Sequence, residues 1–260
     1  METLEQKLER FRRYYFHLIE VAESDVNLDD QKVHSKILCC SILDAISKSI
    51  FPEIKSNCQR FIYLVRQCKS WPDSEKVSVL HLLRLLEINP SLSFEEQRLK
   101  KQVLLKYSRM FEPTNSLNNS EFPISSDMDV SELLELWPRQ NSEYVKVGGV
   151  KPYQLKHEYM LWLYRNALVH EYRSPGNGVD LDLGQYAAEH PFYQQVTTVD
   201  SFGENQLQFT SRWELVYPSR FFLNLCKNAV EVACEFNCER GTSPFNGYSR
   251  GTYWLPDFNE

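Results

Sequence analysis

The amino-acid sequence predicts a mainly α fold: a helical bundle with an inserted β-hairpin and an irregular C-terminal tail. Three observations carry this. Apolar residues recur at steps of three and four through most of the first 111 positions, and again near 152–172 and 219–236. Val, Thr, Phe and Trp with partial alternation fill Tyr193 to Asp200 and Gln206 to Val216, two strands around a polar turn. Finally, 260 residues at 42% apolar composition are enough to bury a substantial core as a single domain, 1–260.

The elements follow in order. Leu4, Leu8, Phe11, Tyr15, Leu18 and Ala22 make one apolar stripe from Thr3 to Glu23, with Thr3 and Gln6 spaced as a capping box. A second helix runs from near Asp30 through Val33, Ile37, Ile42 and Ile46 until Phe51-Pro52 stops it. Its wide apolar face predicts a central position. A third spans about Ser56 to Cys68, a fourth follows an Asp73 cap to Asn89-Pro90, and a fifth covers Ser93 to Phe111. Residues 112–129 are polar and punctuated by Pro113 and Pro123, which predicts a long mobile loop. A short helix at Ser131 to Trp137 and a Gly148-Gly149 turn precede a helix from about Pro152 to Tyr172, closed by Ser174-Pro175-Gly176-Asn177-Gly178. The hairpin lies near 193–216, and Ser219 to Phe236 returns to helical spacing. The tail carries Phe245, Tyr248, Tyr253, Trp254 and Phe258 without a period, as expected of a segment packed on the surface or across a partner.

Bulk composition narrows the function. A formal charge of −6 gives no average attraction for polyanions, so any nucleic-acid contact is local. Between Lys146 and Arg173 five basic residues face two acidic ones, the right sign for phosphate. Seven cysteines without CxxC pairing, a charged start and no apolar run of about 20 residues predict a soluble protein of the reducing cytoplasm, with no membrane partner.

The chemistry-bearing segment is Leu161 to Tyr172. Arg165 and His170 set a permanent cation beside a group able to exchange a proton near neutral pH, which phosphodiester cleavage by the ribose hydroxyl requires. Spacing alone is cheap, since Arg12 and His17 share it on what reads as an ordinary amphipathic helix. Context separates the two: Arg165 is followed by polar Asn166, and the pair ends an apolar helix just before a turn-forming run.

Arg165-Asn166-Ala167-Leu168-Val169-His170 resembles the signature of the HEPN superfamily, helical nucleotide-binding and ribonuclease domains, in which Arg and a polar residue precede His by four to six positions. A preceding long helix of the type seen at Cys39 to Ala45 adds to the likeness. His170-Glu171-Tyr172 also resembles the His-x-Tyr extension of one toxin branch, whose Tyr is modified by a partner nucleotidyltransferase. The chain is longer than the small toxins of that branch, and nothing in the likeness accounts for the region after Asp180.

The resemblance implies a metal-independent endoribonuclease acting on RNA without a cofactor, working as a homodimer, in a toxin or antiviral defence setting with an antitoxin or nucleotidyltransferase partner. The implied roles are His170 as general acid or base, Arg165 stabilising the phosphorane charge, and Asn166 orienting phosphate or His170. The alternative is a catalytically silent HEPN-like module that dimerises and binds a nucleotide or protein. Five helical steps set Arg165 and His170 roughly 140° apart, so one straight helix is expected to keep them separate, whereas a distortion or a second copy about a two-fold axis brings them together.

Bland readings stand beside these. Arg165 pairs with Glu158 or Glu171 and His170 caps the helix end; Tyr172 is a packing aromatic rather than a modification site; Asp44 faces water or bonds within the core rather than supporting the cleft. Cys226, Cys234 and Cys238 lack a fourth zinc ligand and read as buried thiols, and His34, His81, His157 and His190 show no metal-ligand spacing.

Overall fold

The computed structural model describes residues 2–26, 32–112, 121–173, 175, 189–202 and 207–248. Among them are the helices α1 (Leu4–Val26), α2 (Lys32–Ile50), α3 (Asn57–Gln67), α4 (Val79–Ile88), α5 (Phe94–Tyr107), α6 (Val130–Leu136), α7 (His157–Glu171) and α8 (Ser219–Arg240). The strands are β1 (Glu121–Pro123), β2 (Arg139–Gln140), β3 (Glu143–Tyr144), β4 (Phe192–Phe202) and β5 (Leu207–Val216). The fold is mainly α with a small antiparallel sheet, as the periodicity predicts. No helix among the described residues is long and apolar enough to cross a membrane.

Two compact units divide the chain. One gathers Met1–Trp71, Arg165–Arg173 and Phe222–Glu260; the other gathers Pro72–Tyr164 and Ser174–Phe221. The end of α7 that carries the motif therefore belongs with the N-terminal helices.

In the first unit α1 packs on α2 and α2 on α3. The capping box at the start of α1 forms: Thr3 N–H donates to Gln6 Oε1 at 2.9 Å and Gln6 N–H to Thr3 Oγ1 at 3.2 Å, satisfying donors the helix leaves unpaired. The buried stripe is Leu8, Phe11, Tyr15, Ile19 and Ala22; Ile19 takes the inward position expected of Leu18, because a 3.6-residue turn drifts across a strict heptad. Phe61, Leu64, Leu168, Phe222 and Cys226 are buried in the same unit. The near part of the tail packs on α1 and α2: the rings of Phe245 and Phe11 lie 5.8 Å apart, and the Tyr248 and Tyr15 hydroxyls meet at 2.7 Å. Gly247 lies so close to the backbone carbonyl of Lys48 that a Cβ there would clash. Tyr253, Trp254 and Phe258 lie outside the described residues.

In the second unit, α4 and α5 pack together over a core that includes Val79, Leu82, Leu99, Val103, Met128, Leu133 and Trp137. Gly148 and Gly149 both adopt positive φ, 54° and 84°, and let Val147 and Val150 exchange backbone hydrogen bonds at 3.0 and 2.9 Å. The predicted hairpin forms as β4 and β5, but β1 adds a third strand in the order β1-β4-β5, with Phe122 opposite Tyr193.

Two expectations are corrected here. The segment 112–129 is not loop throughout: after residues 113–120, which lie outside the described set, come β1 and a 3-10 turn at Ile124–Ser126, with Ile124, Asp127 and Met128 buried. Its polar residues hid the inward-facing Ile124 and Met128. Asp73 does not cap the fourth helix either. It lies in a 3-10 turn, Pro72–Glu75, and Ser78 precedes α4.

Candidate functional site

The C-terminal end of α7 is anchored by buried Leu168 and terminated at Tyr172, which adopts φ 55° and donates its N–H to the Leu168 carbonyl at 3.1 Å. That five-to-one bond closes a left-handed cap where glycine is usual, at a cost of about 1–2 kcal/mol for a residue with a Cβ. Tyr172 is 71% exposed as a result. Most of the predicted stop, residues 174 and 176–178, lies outside the described set.

Arg165 organises the site. Its Nε donates to Asp44 Oδ2 at 2.9 Å and its Nη2 to the same oxygen. On the opposite prong Nη1 donates to Asn166 Oδ1 at 3.0 Å and reaches His170 Nε2 at 3.5 Å. The expectation that one straight helix keeps Arg165 and His170 apart is thus overturned within a single chain. The angular gap between the two Cα positions is real, but the long guanidinium arm crosses it once Asp44, arriving from α2, fixes the arm's direction. Since a guanidinium only donates, Nε2 is the accepting side of this contact. His170 is exposed, while the side chains of Arg165 and Asp44 keep 13% and 25% of their accessible surface.

Burial raises the Asp44 carboxyl above its ordinary range, and attraction to Arg165, Arg60 and His170 offsets this only in part. Arg60, on α3, is a second cation acting on Asp44 that sequence reasoning missed. It is held by the Ile54 carbonyl at 2.5 Å and by Asn57. Nothing in its spacing could have flagged it, because α3 meets Asp44 only through tertiary packing.

The other Arg and His pair behaves differently. Arg12 is clasped by Glu231 through two bonds at 3.0 and 2.8 Å, while His17 lies exposed beside Glu20 at 3.8 Å. Identical spacing therefore brings Arg and His together only where the carboxylate that holds the guanidinium turns it towards the ring. The ion-pair partners suggested for Arg165 are also occupied elsewhere, Glu158 with Lys156 at 3.0 Å and Glu171 with Arg173 at 2.6 Å. Three of the five basic residues between Lys146 and Arg173 are engaged in ion pairs, so the local excess read from the sequence is weaker than counted.

A second constellation, invisible to spacing, lies in the other unit. Asp127 Oδ2 meets His157 Nε2 and accepts from the Tyr193 hydroxyl, both at 2.6 Å, and its Oδ1 accepts from Val79 N–H at 3.2 Å. The Tyr193 hydroxyl meets Ser78 Oγ at 2.9 Å, and Ser78 Oγ meets His81 Nδ1 at 2.7 Å. Here Asp127 does the capping work at the start of α4, because the Ser78 hydroxyl is already committed to His81 and Tyr193. Ser78, Asp127, His157 and Tyr193 are buried, and His157 Nδ1 makes no hydrogen bond among the described residues. Burial, then Asp127, pushes the Tyr193 hydroxyl well above its usual range; burial, then Arg84 and His157, pushes His81 down to about 3. The residue types are those of catalysis, but Asp127, His157, Tyr193 and Ser78 are buried and spend most of their hydrogen-bonding capacity on one another.

Among the described residues no group of three or more His, Cys, Asp or Glu side chains is placed to hold a metal ion. Cys226 and Cys234 are buried thiols and Cys238 is exposed. No family model, no curated protein and no solved structure matches the chain.

Proposed function

We propose that this chain is a metal-independent endoribonuclease of HEPN type, cutting RNA at the Arg165, Asn166 and His170 constellation. The observation that carries the reading is the 3.5 Å approach of Arg165 Nη1 to His170 Nε2 at an exposed helix end, with the guanidinium clamped by Asp44. His170 Nε2 takes the proton of the ribose 2′-hydroxyl as that oxygen attacks phosphorus, and the P–O5′ bond breaks. The products are a 2′,3′-cyclic phosphate and a 5′-hydroxyl. Arg165 stabilises the developing phosphorane charge, exchanging its contacts with Asn166 and His170 for charge-assisted ones to phosphate. Asn166 orients the phosphate, and Asp44 positions Arg165.

A homodimer, with a second His170 to protonate the leaving oxygen, completes the acid and base set. In a cytoplasmic toxin or antiviral effector of this kind, exposed Tyr172 is accessible to a partner nucleotidyltransferase. The silent binding module draws support from one observation: Arg165 already spends donors on Asp44, Asn166 and His170.

Labelled RNA incubated with the purified chain in EDTA separates the two. Cyclic phosphate ends that vanish in both Arg165→Ala and His170→Ala support the nuclease; cleavage indifferent to both variants overturns it. Intact RNA with wild-type protein, together with growth equal for cells expressing wild type and His170→Ala, transfers the assignment to the binding module.

A further inference from the structure

The basic excess the sequence places around the motif is largely spent on ion pairs, and the exposed positive charge of the second unit gathers instead on α5. Within 94–111 there are five cations, Arg98, Lys100, Lys101, Lys106 and Arg109, against Glu95 and Glu96, in a chain of net charge −6. Glu96 is committed to the capping box with Ser93 at the helix start. A groove of about 830 Å³ runs along this segment, and the described residues that line it include Lys100, Lys101, Lys106 and Arg109 and no acid. Lys106 is held by Glu132 at 2.7 Å, and Lys100 donates to the Leu86 carbonyl at the end of α4 at 3.0 Å. Arg98, Lys101 and Arg109 are exposed and form no ion pair among the described residues.

The same face carries apolar groups with nothing over them among the described residues. Phe94 is 79% and Leu105 77% exposed, and around the helix Phe94, Arg98, Lys101 and Leu105 fall within about 60° of one another. An exposed aromatic face beside unpaired cations is the combination that binds unpaired nucleotides: the ring stacks a base while Lys and Arg track the phosphates. A lipid surface is a poorer fit, because cations interrupt the apolar positions along the face rather than flanking a continuous stripe.

We propose that the exposed face of α5, with the 3-10 turn Ser108–Phe111 that follows it, is a docking surface for single-stranded RNA, with Phe94 stacking a base and Arg98, Lys101 and Arg109 holding the backbone. The choice of RNA among polyanions rests on the ribonuclease reading, but binding and cleavage are measured apart.

The test uses the full chain carrying His170→Ala, which leaves α5 intact, and the anisotropy of a fluorescein-labelled oligouridylate over a salt series. Lys101→Glu with Arg109→Glu is expected to weaken binding at least tenfold and flatten the log–log salt slope by about 1.4, two phosphate contacts at about 0.7 each. Phe94→Ala is expected to weaken it about tenfold with the salt slope unchanged. These positions are exposed, so circular dichroism and melting temperature should stay as in the parent. With His170 restored, cleavage of the dinucleotide UpU, too short to span α5, should not respond to the α5 changes. Equal oligouridylate affinity in all variants overturns the docking surface whatever UpU shows. So does binding of polyglutamate or phosphatidylserine vesicles that depends on these residues while RNA does not bind. Binding that obeys the variants with UpU left uncut keeps the surface and removes the nuclease.

Discussion

His157 and His170 stand at the two ends of α7, and each lies within reach of groups that catalysis uses. His157 meets Asp127 at 2.6 Å in a buried network with Tyr193 and Ser78 that reaches half-buried His81, whereas His170 is exposed beside a guanidinium. The buried set has the more familiar chemistry, an acid, two imidazoles and two hydroxyls, yet its residues hold β4, α4 and the start of α7 in place. The exposed set has one looser contact, at 3.5 Å, and its imidazole faces solvent. Residue type suggests a role, and accessibility separates the two sets.

Exchanging the two ends by mutation gives the largest expected effects. His170→Ala should lower RNA cleavage by about 10²- to 10⁴-fold and shift stability by no more than about 0.5 kcal/mol. Asp127→Ala should do the reverse, costing about 3–5 kcal/mol in urea unfolding by orphaning His157 and Tyr193, with activity per folded molecule retained. An unchanged urea midpoint in Asp127→Ala would show that the network does not hold the unit.

The two regions should also answer pH in opposite directions. His81 sits at about 3 in the folded chain against 6.5 when free, so between these values the unfolded chain binds more protons. Stability contributed there is complete above pH 6.5 and drains away as pH falls towards 3, by up to a few kcal/mol, an acid sensitivity that His81→Gln should blunt in melting curves. Tyr193→Phe is a smaller lesion, about 1–3 kcal/mol at all pH values below the tyrosine range, since Asp127 and Ser78 each lose a partner. Asp44 is expected to show the weakest effect and the opposite sign. Its carboxyl is raised above 3.8, so the folded chain binds more protons just above that value and stability falls as pH rises through the raised range, then levels off. Asp44→Asn should remove that slope and weaken cleavage by loosening Arg165; a slope retained in Asp44→Asn assigns it to another group.

Much of this was legible one segment at a time. Thr3 and Gln6 announced the start of α1, Phe51-Pro52 ended α2, and the β-rich runs near 193–216 paired as expected. Asn166 beside Arg165, at the end of an apolar helix, marked one Arg and His pair as different from Arg12 and His17. Strand β1 was not legible, because three residues between polar stretches carry no period. The partners of Asp127 were not either: the carboxylate takes its hydrogen bonds from positions 30, 48 and 66 residues away, and only packing sets such distances.

Local periodicity, capping and spacing along one chain are enough to place the helices, the hairpin, and Arg165 with His170 at the end of one helix. Only contacts between distant elements turn Arg165 towards His170 through Asp44, take Arg12 away from His17 through Glu231, and bury His157. Each of those outcomes depends on a group brought in from a distant element, whose charge and burial no local pattern encodes.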